Sequence, residues 1–144
     1  MKAIDTNILV YGHRSESPFH EKAIQAITEL AEGANLWAIP WPCFHEFLAV
    51  VTNSKIFKKP TSISDAWEYL DAIRKSPTLM TISENEDHEI FLKKLTKSGH
   101  VVGGKIHDAR IAAICLEHSV SEFWTADRDY SRFGALKLFN PLIS

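Results

Sequence analysis

The sequence predicts an α/β protein in which helices cover both faces of a central, mostly parallel sheet of about five strands. Short apolar runs of strand length recur along the chain, and segments with helical apolar spacing separate them. Strands that alternate with helices form βαβ units, in which neighbouring strands run parallel. With 144 residues, and without a repeat or a linker-like stretch, residues 1–144 are expected to form one domain.

Five apolar runs are the predicted strands. They occupy residues 2–4, 36–39, 79–82, 123–125 and 138–139. After the first of them, the chain is expected to turn at residues 5–7 and to continue as a loop around residues 15–18, where serine and proline accumulate.

Five helices are predicted from apolar spacing and from end signals. The first covers residues 23–31 and stops at Gly33. The second begins at Pro40 and Pro42, where a missing N–H costs little. The third starts at a capping signal in residues 62–65 and runs to about residue 75. The last two cover residues 87–98 and 107–118.

Composition and charge exclude several classes of protein. The chain is 45% hydrophobic and 24% charged, which is typical of a folded globular protein and not of a disordered one. A net charge of −2 argues against a strongly basic coat for nucleic acid. No window is apolar enough for a membrane span, and no signal peptide is recognised, so a cytoplasmic protein without membrane association is expected. The two cysteines, Cys43 and Cys115, are too far apart for a zinc motif and are expected to be buried.

Four carboxylates occur where an open parallel sheet gathers functional groups, outside the carboxyl ends of its strands. Asp5 follows the first strand directly, and Asp127 follows the fourth. Glu46 lies one turn into the helix after the second strand, and Asp108 lies in the first turn of an alanine-rich helix. Each acid alone is typical of an ordinary turn or helix start, but together they are expected to meet at one end of the sheet.

Converging carboxylates favour a bound cation. Two of them about 5 Å apart, at an effective dielectric constant near 20, repel by roughly 3 kcal/mol. The cluster must therefore take up protons or bind a positive ion. Oxygen ligands select Mg²⁺ or Mn²⁺ and not Zn²⁺, and a site of this kind is suited to the hydrolysis of phosphodiesters.

Several short motifs resemble, in order and spacing, those of the PIN-domain family, and specifically the VapC-type toxins of bacterial and archaeal toxin–antitoxin pairs. The motifs are Ile4-Asp5-Thr6-Asn7, Pro42 with Glu46, His107-Asp108-Ala109-Arg110-Ile111-Ala112-Ala113, Thr125-Ala126-Asp127-Arg128-Asp129-Tyr130 with Arg132-Phe133, and Asn140-Pro141-Leu142. The resemblance implies a three-layer α/β/α sandwich and a Mg²⁺-dependent endoribonuclease in which Mn²⁺ substitutes. It also implies a VapB-type antitoxin as partner, and a homodimer.

The resemblance assigns roles to individual residues. The acidic quartet that would hold the metal and catalyse the reaction corresponds to Asp5, Glu46, Asp108 and Asp127. Glu46 would complete the ring of ligands or orient the attacking water. Polar residues that support the quartet correspond to Thr6, Asn7 and Thr125, with Asp129 as an additional outer acid.

Other residues are weaker candidates for contact with RNA. Among the basic residues, which include Lys55, Lys58, Lys59, Lys105, Arg110, Arg128 and Arg132, the favoured two are Arg110 and Arg128, because they lie beside the acids in sequence. His45 and His107 also precede acids, although a surface histidine is the commoner case. Trp37, Trp41 and Trp67 could stack on bases or pack in the core. An antitoxin groove, implied by the resemblance, could be lined by Phe44, Phe47 and Trp67.

Two other functions remain open from the residues. One is a PIN-like module that binds RNA or a partner without catalysis, which the complete quartet argues against. The other is a phosphatase of the haloacid dehalogenase type, whose DxD start resembles residues 5–7. Asn7 replaces the second acid of that motif, which makes this function the less favoured of the two.

Overall fold

A five-stranded, entirely parallel sheet forms the centre of the computed structural model, which describes residues 1–143. The strands are β1 Lys2–Ile4, β2 Trp37–Pro40, β3 Leu79–Ile82, β4 Glu122–Trp124 and β5 Leu138–Phe139. Their order in the sheet is β3-β2-β1-β4-β5. Because β1 lies between β2 and β4, the strand order reverses at β1, and this is the position where parallel sheets bind their ligands.

Within residues 1–143, six helices cover this sheet, and the predicted α/β class is confirmed. They are α1 Thr6–His13, α2 His20–Glu32, α3 Trp41–Val51, α4 Ile63–Ile73, α5 His88–Ser98 and α6 Ile106–Glu117. Helix α1 packs on α2 and α3, α3 packs on α4, and α5 pairs with α6. Two short 3₁₀ segments, Gly103–Lys105 and Arg128–Arg132, precede α6 and follow β4.

Helix α1 is the element that the sequence did not predict. Residues 5–7 were expected to form a turn, but Asp5 caps a helix there, its Oδ1 accepting the backbone N–H of Thr6 at 2.8 Å. The three consecutive residues Ile8, Leu9 and Val10 are all buried, since α1 is enclosed on more than one side. A helix of this kind lacks the one-sided apolar spacing by which helices are recognised in sequence.

The remaining helix boundaries follow the predicted signals closely. The hydroxyl of Ser62 accepts the N–H of Asp65 at 3.1 Å and starts α4, which ends at Ile73, two residues before the predicted end. Helix α2 stops at Gly33 as predicted, and α3 begins with a proline in its first turn.

The hydrophobic core contains several aromatic side chains that were candidates for binding roles. Trp37 is fully buried in β2 and cannot stack on a base, so this alternative is wrong for Trp37. Phe44 and Phe47 are also buried, because α3 is covered by α1 and α4, and they cannot line a surface groove for an antitoxin.

Cys43 and Cys115 are buried free thiols, as predicted. Over the described part of the chain, no helix has the length and apolarity needed to cross a membrane.

Candidate active site

The carboxyl ends of β1, β2 and β4 open onto one cavity of about 280 Å³. Asp5 follows β1, and Glu46 reaches the cavity from α3, which begins directly after β2. Asp108 reaches it from the first turn of α6, and Asp127 from the segment after β4. All four predicted carboxylates therefore line the same cavity, although they come from separate parts of the chain.

Asp5 is the most buried of the four and is held by several donors. Its side chain is 4% exposed. Oδ1 accepts the N–H of Thr6 at 2.8 Å, and the thiol of Cys43 is 3.7 Å away. Oδ2 accepts the hydroxyl of Thr125 at 2.7 Å and the amide of Asn7 at 3.2 Å. The orientation of this carboxylate is thus fixed by α1 and by the residue that follows β4.

Burial raises the pKa of Asp5 from 3.8 to about 7. The hydrogen bonds from Thr125 and Thr6 oppose this rise, whereas the negative charges of Glu46 and Asp127 add to it. Asp5 is therefore only partly ionised at neutral pH, although its hydrogen-bond donors are in place.

Glu46 is half-buried and is tied to α1. The hydroxyl of Thr6 donates to its Oε2 at 2.8 Å, so Thr6 contacts Asp5 through its backbone and Glu46 through its side chain. This double contact sets the position of α3 relative to the end of β1, and it leaves the second oxygen of Glu46 for another partner.

Asn7 and Thr125 connect Asp5 with Asp127. The amide of Asn7 donates to the hydroxyl oxygen of Thr125 at 3.2 Å, and its carbonyl accepts the N–H of Ala126 at 3.2 Å. The backbone N–H of Asp127 also donates to the hydroxyl of Thr125, at 3.0 Å. The residues predicted as supports, Thr6, Asn7 and Thr125, therefore all contact the carboxylates or the backbone beside them.

A lysine bridges the outer part of this acidic group. Lys105 Nζ lies 2.5 Å from Asp129 Oδ2 and 3.7 Å from Asp108 Oδ2. The hydrogen bond from Lys105 to Asp129 raises the pKa of Lys105 and lowers the pKa of Asp129. Burial raises the pKa of Asp108; Lys105 opposes this rise, and the charge of Asp127 reinforces it. Asp129 is exposed, and its carboxylate is turned to Lys105, whereas Asp127 lines the cavity.

Four residues without ionised groups complete the cavity wall, and the sequence argument gave none of them a role at the site, although Tyr130 belongs to one of the motifs. They are Val10, Tyr11, Val50 and Tyr130. Tyr130 lies three residues after Asp127, a spacing that returns a side chain to the same side of a 3₁₀ turn and could have identified it. Lys105 was considered for RNA contact, and its ion pairs with two acids could not be read from sequence.

The residues proposed to contact RNA lie at different places: some are beside the acidic cavity and others are in a separate loop. Arg110 lines a second, adjacent cavity and is paired with Glu84. Arg128 is exposed in the 3₁₀ segment after Asp127. Lys55, Lys58 and Lys59 are exposed in the loop between α3 and α4. Trp41 is half-buried against Phe44, and Trp67 is 39% exposed.

The arrangement suits the binding of a hard cation, since oxygen atoms supply all the ionised groups of the cavity. Within residues 1–143, no three His, Cys, Asp or Glu side chains are close enough together to form a ready-made metal site. The four acids nevertheless face one small volume, and Lys105 at the rim forms an ion pair with one of them, Asp108. A divalent cation would supply the charge that the cavity lacks.

Comparison with known proteins identifies the family of the chain. The model of the PIN domain family matches residues 2–136. VapC ribonuclease Mb2897 of Mycobacterium bovis is 33% identical over 142 residues, which cover 99% of this chain and 96% of that protein.

Two solved structures share the fold at lower sequence identity. VapBC2 from Rickettsia felis, bound to a DNA fragment from its promoter, has a TM-score of 0.70 at 19% identity and covers 96% of this chain and 97% of that chain. VapC20 of Mycobacterium tuberculosis, a toxin that cleaves the sarcin–ricin loop, has a TM-score of 0.67 at 16% identity. The match covers 93% of this chain and 95% of that chain. The family match, the identity over nearly the full length and the shared fold lead to one conclusion: the chain belongs to the PIN-domain family and, within it, to the VapC-type proteins.

Proposed function

We propose that this protein is a divalent-metal-dependent endoribonuclease and the toxin of a VapBC-type toxin–antitoxin pair. The observation that carries the proposal is the convergence of Asp5, Glu46, Asp108 and Asp127, from four elements, on one cavity. Relatives that match nearly the whole chain are named VapC ribonucleases, which supports RNA as the substrate.

The metal would be Mg²⁺, with Mn²⁺ as a substitute. Asp5, Asp108 and Asp127 would hold it, directly or through water, and Glu46 would complete the ring of ligands or orient the attacking water. Burial is the main cause of the raised pKa of Asp5, and the smaller contribution from the charges of Glu46 and Asp127 is one that a cation would neutralise. When bound, a divalent cation reduces the charge on the phosphodiester and lowers the pKa of a water molecule.

The residues of the chain have distinct tasks in this reaction. Thr125 and Asn7 hold Asp5 in one orientation, so that it needs no rearrangement when substrate arrives. Thr6 occupies one oxygen of Glu46, and the other oxygen would accept a proton from the attacking water. The water oxygen forms a bond to phosphorus, the bond from phosphorus to the leaving ribose oxygen breaks, and solvent returns a proton to that oxygen.

The proposal includes a VapB-type antitoxin as partner and a homodimer as the assembly. Solved relatives of the same fold include toxin–antitoxin complexes from Haemophilus influenzae and Klebsiella pneumoniae, which supports a protein inhibitor. Of the three aromatic residues suggested for its groove, Trp67 is the exposed one.

RNA cleavage with and without metal tests the proposal. The purified protein should cleave total RNA with Mg²⁺ or Mn²⁺ and not with EDTA. Asp5→Asn should lower the rate by at least about 100-fold, whereas Asp71→Asn, on the exposed face of α4, should cleave like the wild type. Wild-type rates in Asp5→Asn would contradict the proposal. A protein that binds RNA without Mn²⁺ uptake or cleavage would support the alternative of a non-catalytic module.

A further inference from the structure

A second cavity of about 440 Å³ adjoins the acidic cavity, and the proposed RNA hydrolysis does not use it. The two cavities share Glu46 and Asp108, so a ligand in the second lies directly beside the proposed reaction centre. The rest of its lining is formed by Pro42, His45, Gly104, His107 and Arg110.

Arg110 presents an oriented guanidinium to this cavity. Its Nε donates to Glu84 Oε1 at 2.5 Å, and this contact fixes the plane of the group. Burial acts to raise the pKa of Glu84, but the hydrogen bond and charge of Arg110 lower it overall, so the pair is ionised. Because Glu84 contacts Nε, the terminal NH₂ groups of Arg110, a residue of the cavity lining, are left as a pair of donors.

The lining favours an uncharged planar ligand over a phosphate. Glu46 and Asp108 place two carboxylates on the wall, and they would repel a second phosphate group. His45 and His107 have exposed imidazole rings, which are suited to stacking on a base. A Cβ atom at Gly104 would have no neighbour within 4 Å, so this wall is open to an incoming ring.

We propose that this second cavity is a nucleobase subsite in which Arg110 binds a guanine next to the cleaved phosphodiester bond. The inference rests on the proposed ribonuclease function and extends it to base selection. Guanine offers two neighbouring acceptors, O6 and N7, to a guanidinium fork. Adenine has an amino group in place of O6, so that donor would face donor.

Cleavage of a randomised RNA pool with Mn²⁺, followed by sequencing of the cut ends, tests the inference. The wild type should prefer guanine at one position beside the cut by about tenfold or more, which is within the range a bidentate arginine contact provides. Arg110→Met keeps much of the apolar stem but removes every donor, and this preference should disappear. Arg14→Met is the matched control, because Arg14 is also paired with a glutamate but lines a different cavity.

A base analogue separates recognition by Arg110 from a merely structural effect. An RNA with 7-deazaguanosine at the preferred position lacks the N7 acceptor and should be cleaved about tenfold more slowly by the wild type. The same analogue should cause no further loss in Arg110→Met. Cleavage without a neighbouring base preference, or a preference that survives in Arg110→Met, would overturn the subsite alone. Absence of any RNA cleavage by the wild type would overturn the proposed function and the subsite together.

Discussion

Replacing Asp5 by asparagine should stabilise the metal-free protein at pH 8, although it removes a residue proposed to bind metal. The carboxylate is nearly inaccessible, and its pKa is raised from 3.8 to about 7, chiefly by burial. At about 1.36 kcal/mol per pKa unit, the difference corresponds to about 4 kcal/mol of destabilisation once Asp5 is ionised in both states. Asparagine has nearly the same shape and carries no charge.

The sign of this effect depends on pH. The pKa of Asp5 is higher in the folded protein than in the unfolded chain, so between pH 3.8 and about 7 the folded state binds more protons. The contribution of Asp5 to stability is therefore most favourable below pH 3.8 and becomes steadily less favourable up to about pH 7. The advantage of Asp5→Asn should accordingly be full at pH 8 and small at pH 4.

Urea unfolding in EDTA, followed by circular dichroism at pH 4 and pH 8, measures this difference. The single oxygen of asparagine can still accept the N–H of Thr6, but the lost acceptor for Thr125 and for Asn7 costs about 1 kcal/mol each. We therefore expect a stabilisation of about 2 kcal/mol at pH 8. Equal stability of the two proteins at pH 8, or an advantage that does not grow with pH, would refute the reasoning.

Three further predictions follow from particular contacts. Calorimetric Mn²⁺ affinity should increase between pH 6 and pH 8, because Asp5 must lose its proton; an affinity independent of pH would contradict this. Lys105→Ala should tighten Mn²⁺ binding a few-fold, since the ammonium competes for two acids at a half-exposed site, and Lys105→Arg should not. Gly12→Ala should change the free energy of thermal unfolding by less than about 1 kcal/mol, because Ile27 Cδ1 and the Tyr69 hydroxyl, each 2.8 Å from the new Cβ, are side-chain ends that can move aside while alanine favours the helix; Gly134→Ala, with open space, is its control.

The strands and most helices could be predicted because their signals are local. A buried strand such as β2 is a short apolar run, and α2 combines apolar spacing with a terminal glycine. Helix α1 escaped prediction because its burial depends on α2 and α3 packing around it, which no local pattern records. The strand order is also a property of the whole chain and cannot be read from any one segment.

The acids of the site were predictable because parallel strands bring their carboxyl ends to one edge. Asp5 and Asp127 follow adjacent strands, so their meeting in one cavity requires only that the sheet forms. The ion pair of Lys105 with Asp129 was not predictable, since it joins two loops through flexible side chains. Phe47 belongs to the core and Trp67 to the surface, a distinction that depends on which helix covers which face.

The central claim is that four carboxylates form one binding site for a hard divalent cation, and titration with Mn²⁺ by calorimetry tests it most directly. The wild type should bind Mn²⁺ at pH 8. Each of the changes Asp5→Asn, Glu46→Gln, Asp108→Asn and Asp127→Asn should weaken binding by about tenfold or more, whereas Asp71→Asn should have no effect. Failure of the wild type to bind Mn²⁺, or equal binding by all of these variants, would contradict the account.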